Sequence, residues 1–158
     1  MRWGEFAAAE PVFAAEIRRS LEAGKHNYLA TIREDGAPRI SGTELNFSKD
    51  GADLWIGAMP ASRKVRDLRR DPRLALHGQS AEPPDWTGDG KVAGTALPAC
   101  EDHARALLAE YGYPTDREGI VFLVDLTEAV ITRLGEGGEH LEVTLWKQDR
   151  PLRTMQVS

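Results

Sequence analysis

The sequence predicts a mainly β protein, an antiparallel barrel of about six to seven strands with helices at its periphery. Three observations carry that reading. Two Asp-Gly pairs, Asp35-Gly36 and Asp50-Gly51, stand between runs of alternating apolar residues, the signature of tight antiparallel hairpins. Seven stretches read as strands, whereas helical periodicity is confined to three segments. No internal repeat or linker divides the chain, so the whole of 1–158 is expected to form a single domain, with an N-terminal helix over about 5–23 and the barrel over about 27–147.

The elements follow in order. In "EFAAAEPVFAAEIRRSLEAGKH", Phe6, Phe13, Ile17 and Leu21 fall on one helical face and Gly24 is a natural stop, while Pro11 sits in a first turn or divides the segment. "NYLATIREDGAPRISGTELNF" is a hairpin turning at Glu34-Asp35-Gly36, and "DLWIGA" is a third strand after Asp50-Gly51; the expectation is a three-stranded meander. Ser62 is the predicted N-cap of a helix over about Arg63 to Arg70, which Asp71-Pro72 stops because a residue before proline avoids helical geometry. "RLALHGQS" and "KVAGTALPA" are the fourth and fifth strands, separated by the polar loop "AEPPDWTGDG". "CEDHARALLAEYG" is a helix burying Ala104, Leu107, Leu108 and Tyr111. "GIVFLVDLTEAVITRL" and "HLEVTLWKQ" are strands six and seven.

Composition limits the function. At 158 residues, 41% hydrophobic and 28% charged, the chain is long enough for a substantial core. Nothing approaches the roughly twenty apolar residues that cross a bilayer, and the N-terminus lacks a compact apolar signal region. Cys100 is the single cysteine and has no internal partner, so a cytoplasmic setting is expected. A formal net charge of -5 argues against general nucleic-acid binding, because the far field repels phosphate.

The chain offers no self-sufficient catalytic constellation. His26, His77, His103 and His140 lack metal-site spacing. Ser41 and Ser62 are not in a nucleophile elbow, and Cys100 has no identified histidine partner. Asp125 with Glu128, or Glu136 with Glu139, are acidic pairs of a kind any acidic surface supplies. The chain also has no G-x-G-x-x-G after its first strand and no Walker loop. Any chemistry is therefore carried by a bound reagent, or the protein binds without turnover.

One segment stands apart. "MPASRKVRDLRRDPR", Met59 to Arg73, holds six basic residues against two acids, so it carries +4 and the rest of the chain -9. As a plain helix it would bury Val65 and Leu68 and hold its arginines in solvent. Arg69 and Arg70 suit the helix C-terminus, but Arg63 and Lys64 stand at the N-terminus, where the dipole already favours an anion. Ser62, Arg63 and Lys64 together form a phosphate cradle of hydroxyl, guanidinium and ammonium. Nearby, Arg39, Ile40 and Ser41 lie on the second strand, and Gly57 and Ala58 leave room for a flat group against the third.

The run "YLATIREDGAPRIS", "LWIGA", "ASRKVRDLRRDPRLAL" and "VAGTA" resembles the FMN-binding split-barrel family of pyridoxamine 5'-phosphate oxidase-like proteins, clearly over Asn27 to Leu97 and in outline beyond. The resemblance implies a split barrel that binds FMN, with Arg39, Ile40 and Ser41 along the phosphate and ring, Trp55, Ile56, Gly57 and Ala58 beside the isoalloxazine, and Ser62, Arg63 and Lys64 on the phosphate. It further implies Gln79 reaching the flavin from the fourth strand and Trp146 walling the pocket, against the alternative that Trp146 is a barrel residue. By the same resemblance the protein is a homodimer that transfers hydride or electrons to or from a small organic substrate. The tail "WKQDRPLRTMQVS" does not reproduce the arginine-rich substrate segment of true pyridoxamine phosphate oxidases. A branch of the family uses the deazaflavin coenzyme F-420 instead, and that coenzyme is the alternative to FMN; a non-catalytic flavin-binding protein is the alternative to an enzyme. For the haem-handling branch no histidine here is a compelling axial ligand.

Overall fold

The computed structural model describes residues 1–82, 84–115 and 119–158; Pro83, within the loop read at 81–90, and residues 116–118 lie outside that description. The N-terminal segment forms two helices, α1 (Trp3–Ala9) and α2 (Pro11–Leu21), meeting at Glu10. Pro11 does both things open to it: it ends α1 and opens α2, where its missing N–H costs nothing. The predicted face is the buried one. Phe6, Ile17 and Leu21 are fully buried and Phe13 nearly so, each contributing roughly 1.5–3 kcal/mol of transfer free energy. Trp3 joins them, its ring 4.6 Å from that of Phe47, so the helices are stitched to the barrel through aromatic contacts.

Among the described residues there are nine strands, every pairing antiparallel: β1 (Asn27–Ile32), β2 (Pro38–Thr43), β3 (Leu45–Phe47), β4 (Leu54–Ala58), β5 (Arg73–His77), β6 (Asp89–Pro98), β7 (Ile120–Leu134), β8 (Leu141–Lys147) and β9 (Arg153–Val157). Two further helices, α3 (Arg63–Arg70) and α4 (Glu101–Glu110), lie where the periodicity placed them. The seven expected strands are all present. The additions are β3, cut from the end of the second strand at Glu44, and β9 in the tail.

The strand order is β2-β1-β5-β6-β7-β4-β3, with β8 on β7 and β9 on β8. The expected meander is present with a break at Glu44: β1 pairs with β2, and β3, the end of the same second strand, pairs with β4, whose other edge takes β7. Hairpin signals are local, and they say nothing of which strand takes the other edge. Because β2 and β3 are separated only by Glu44, one stretch of chain leaves β1 and joins β4, linking the two ends of the strand order. The split arises on β7. Its one edge pairs with β6 along most of its length, while the other takes β4 at Ile120–Leu123 and β8 at Glu128–Leu134. A bulge at Thr127 marks the change, and Gly94 opposite is required there, since a Cβ would lie 2.0 Å from the Asp125 carbonyl oxygen.

β4 is buried on both faces. Leu54 and Ile56 point into the main core with Leu29, Leu76, Val124 and Leu126. Trp55 points the other way, into a second cluster with Ala104, Leu107, Val121 and Leu123 beneath α4. No helix among the described residues is long and apolar enough to cross a membrane.

Candidate functional site

The site is built where β2, β4 and the start of α3 converge. α3 packs through Val65 and Leu68, as its sequence requires, and through a third residue that the sequence reading missed: Asp67, 3% exposed. A buried carboxylate needs partners. Thr31 Oγ1 on β1 donates to Asp67 Oδ2 at 2.9 Å, Arg39 Nε on β2 donates to the same oxygen at 2.6 Å, and Arg70 lies 3.7 Å from Oδ1. Burial works to raise the Asp67 pKa, but the hydrogen bonds from Arg39 and Thr31 and the charges of Arg39 and Arg70 outweigh it and hold the group below its ordinary value. Arg39 is thereby fixed between strand and helix. Arg70 also donates to the Ile32 carbonyl oxygen, so this helix-end cation is structural.

Beside this anchor a basic cleft of about 330 Å³ gathers Arg39, Ile40, Ser41, Ser62, Arg63 and Lys64, with Arg33 at its margin. Six sequence-selected residues from two separate elements therefore meet in one concavity. Arg63 is exposed, and its side chain makes no hydrogen bond among the described residues. Lys64 donates from Nζ to the Gly42 carbonyl oxygen at 2.9 Å; burial pulls its pKa down, with Glu44 acting the other way.

The cleft opens into a larger cavity of about 530 Å³, a volume typical of small-molecule sites. Gly42, Ser62 and Lys64 line both. Trp55, Gly57 and Ala58 line it from β4, Leu108 and Pro114 from on and after α4, and Thr43, Glu44 and Asn46 from the β2–β3 junction. Two polar atoms here are buried and unpartnered among the described residues: Trp55 Nε1, on a fully buried ring, and Ser62 Oγ. Ser62 occupies the N-cap position of α3 with extended geometry, yet its hydroxyl makes no capping bond. Each orphaned group costs about 1–3 kcal/mol until something pairs with it. The helix N-terminal amides, the free guanidinium of Arg63 and the Ser62 hydroxyl fit an anionic phosphate, and the apolar slot fits a flat ring.

Three residues of the sequence reading lie elsewhere. Ile56 points into the main core. Trp146, 4% exposed, packs in that core with its ring 4.6 Å from Phe6, the barrel-residue alternative, and does not line the cavity. Gln79 lines a separate small cleft with Glu16, Ser20 and Arg133.

Others were not foreseen. Tyr113 donates its phenol proton to Glu44 Oε2 at 2.6 Å, and Lys25 Nζ lies 3.6 Å from Oε1, with His26 at the cavity mouth. The Tyr113 hydrogen bond, with help from Lys25 and His26, outweighs the opposing effect of burial and lowers the Glu44 pKa. Burial, then Glu44, raises that of Tyr113. The signal in the sequence was a single acid interrupting the alternating run "GTELNF", but its partner is far along the chain. No group of three or more His, Cys, Asp or Glu among the described residues is arranged to hold a metal ion.

The site thus offers a largely apolar cavity joined to a basic cleft at Gly42, Ser62 and Lys64. Comparison with known proteins bears on the fold and the family. The family model described as pyridoxamine 5'-phosphate oxidase matches residues 13–128. Among solved structures, PhzG from Burkholderia lata 383, in complex with tetrahydrophenazine-1-carboxylic acid, is 15% identical with a TM-score of 0.65, covering 99% of this chain and 93% of its own. A pyridoxamine 5'-phosphate oxidase-related, FMN binding protein from Nostoc punctiforme PCC 73102 is 13% identical with a TM-score of 0.63 over 97% of this chain and 96% of its own. An F420 reductase is 18% identical with a TM-score of 0.54 over 71% and 94% respectively. At these identities the likeness is one of fold.

Proposed function

Because this chain belongs to the pyridoxamine 5'-phosphate oxidase family, we propose that it is an FMN-dependent oxidoreductase acting on a small organic substrate. The observation that carries the reading is the junction at Gly42, Ser62 and Lys64 of the apolar cavity and the basic cleft, which suits one ligand with a flat ring and an anionic end. Arg39, Ser41, Ser62, Arg63 and Lys64 would hold the phosphate, and Trp55, Gly57 and Ala58 the ring. FMN, when bound, supplies the redox chemistry, which is why no nucleophile is needed. The protein orients it, shields it from water and fixes the charge around it.

The expected assembly is a homodimer. Tyr28 and Ile40, 52% and 75% exposed, lie on one face of the β1–β2 hairpin beside the cleft, an apolar surface suited to a second copy.

A second reading, coenzyme F-420 in place of FMN, draws on one further feature. The basic cleft adjoins another of about 530 Å³ whose lining holds Arg33, Arg63 and Arg66 alongside Glu34 and Asp35, with Arg39 and Arg70 engaged by Asp67. An anionic chain longer than that of FMN would find partners there.

The test is spectroscopic. The purified protein is expected to show flavin absorbance released on denaturation, or to bind added FMN with fluorescence quenching. Arg63→Ala with Lys64→Ala should weaken FMN binding by roughly a hundredfold or more, since two charge-assisted hydrogen bonds are lost. A colourless protein that binds F-420 and ignores FMN would overturn the first reading in favour of the second.

A further inference from the structure

The cavity is asymmetric in charge. Its Ser62–Lys64 end adjoins the basic cleft, whereas Glu44 and Tyr113 line the cavity alone. We infer that Glu44, held by Tyr113, makes this cavity select a small substrate whose polar end donates hydrogen bonds, and reject one that ends in an anion. The inference rests on the flavoprotein reading and names the substrate class for the same site.

Glu44 sits in the one-residue break between β2 and β3, so its orientation is set by two strands diverging to different partners. Tyr113 Oη occupies only Oε2. The group near Oε1 is Lys25, 77% exposed and 3.6 Å away, a solvent-facing pair that a ligand can displace. A carboxylate offers about four acceptor positions, so capacity remains for a donor arriving from the cavity. The other titratable groups on the cavity wall are His26 at the mouth, 4.0 Å from Glu44 through Nδ1, and Lys64, whose ammonium is engaged with the Gly42 carbonyl oxygen. A ligand carboxylate or phosphate near Glu44 would therefore meet like charge against an apolar wall, a repulsive element that discriminates by itself. The surroundings of Glu44 are otherwise largely apolar: the Trp55 and Tyr113 rings meet edge to face, centroids 6.3 Å apart, and Leu108 and Pro114 line the same cavity.

The experiment uses two planar one-ring probes of opposite charge, benzamidine and benzoate, titrated calorimetrically into the FMN-loaded protein. Benzamidine is expected to bind at least tenfold more tightly than benzoate. Glu44→Gln, nearly isosteric, should erase the difference, and Glu44→Lys should reverse it, with thermal unfolding confirming that each variant is folded. Benzoate binding as well as benzamidine, an unchanged preference in Glu44→Gln, or no binding of either probe at millimolar concentration overturns the inference. Repeating the titration on FMN-free protein reads the charge preference of the cavity without the cofactor. Failure to take up FMN would therefore sink the flavoprotein reading, and the probe ratio would still decide this one.

Discussion

Arg39 Nε, on the second strand, donates to Asp67 Oδ2, on the inner face of α3, at 2.6 Å. This pair ties the strand side of the basic cleft to the helix whose N-terminus forms the other side. Asp67 also binds Thr31 on β1, so one buried carboxylate holds three elements in register. The positive charge of the cleft is thus partly built on an acid that the charge pattern hides.

Replacing Asp67 by Asn keeps the shape and removes the charge. Arg39 is only partly buried and can turn toward water, so the cost should be about 1–3 kcal/mol, below the loss from breaking a fully buried pair. FMN affinity should also fall, because the guanidinium loses its fixed position. Denaturant unfolding measures the first and a flavin titration the second. Unchanged stability would show that the pair contributes nothing net.

Acid should act on the same region. Glu44 and Asp67 are held below their ordinary pKa values, and Asp71, through hydrogen bonds from Arg73, is lowered to about 2. A carboxylate depressed in the folded state stabilises fully above its unfolded pKa and loses that contribution as pH falls through the folded one. The unfolded chain binds more protons in that window. Unfolding midpoints should therefore be flat near neutrality and decline from about pH 4.5 toward about pH 2. Asp67→Asn should show a shallower decline than the parent protein. Equal slopes would remove Asp67 from the acid response.

Much of this was legible in the sequence, and the illegible parts share a cause. Gly36 and Gly51 both take positive φ, 81° and 74°, in the hairpins that Asp-Gly announced, because the turn type demands it locally. The α3 start at Ser62-Arg63-Lys64 was equally local. What failed to show was pairing between distant segments: β4 on β7, Asp67 reaching Thr31 and Arg39, and Tyr113 reaching Glu44. An acid on a basic helix reads as solvated until its strand partners are known. Trp146 illustrates the converse, since an aromatic near the end of a strand reads equally as pocket wall or core.

For Trp146 the structure favours core. Its ring is tilted 53° against Phe6 at 4.6 Å, within the cluster that joins α1 to the barrel. Trp146→Ala should cost about 3–5 kcal/mol of stability, the range for a large aromatic lost from a packed interior. FMN affinity measured on the folded fraction should stay within about twofold of the parent protein. A large affinity loss in well-folded protein would assign the ring to the cofactor pocket instead.

Ser62 separates a structural from a binding role more sharply. A serine at an N-cap ordinarily stabilises its helix, and alanine there costs about 0.5–2 kcal/mol. In this chain the hydroxyl makes no capping bond and its oxygen is buried without a partner among the described residues. Ser62→Ala should therefore leave the unfolding midpoint unchanged or slightly raised, since an unsatisfied polar atom is removed. If the hydroxyl pairs with a phosphate, the same substitution should weaken FMN binding by roughly ten- to a hundredfold, one charge-assisted hydrogen bond. Denaturant unfolding and flavin titration on one preparation decide between the roles. A stability loss near 1 kcal/mol with intact FMN affinity would mean that the hydroxyl caps the helix in solution and that the phosphate is held by Arg63 and Lys64 without it.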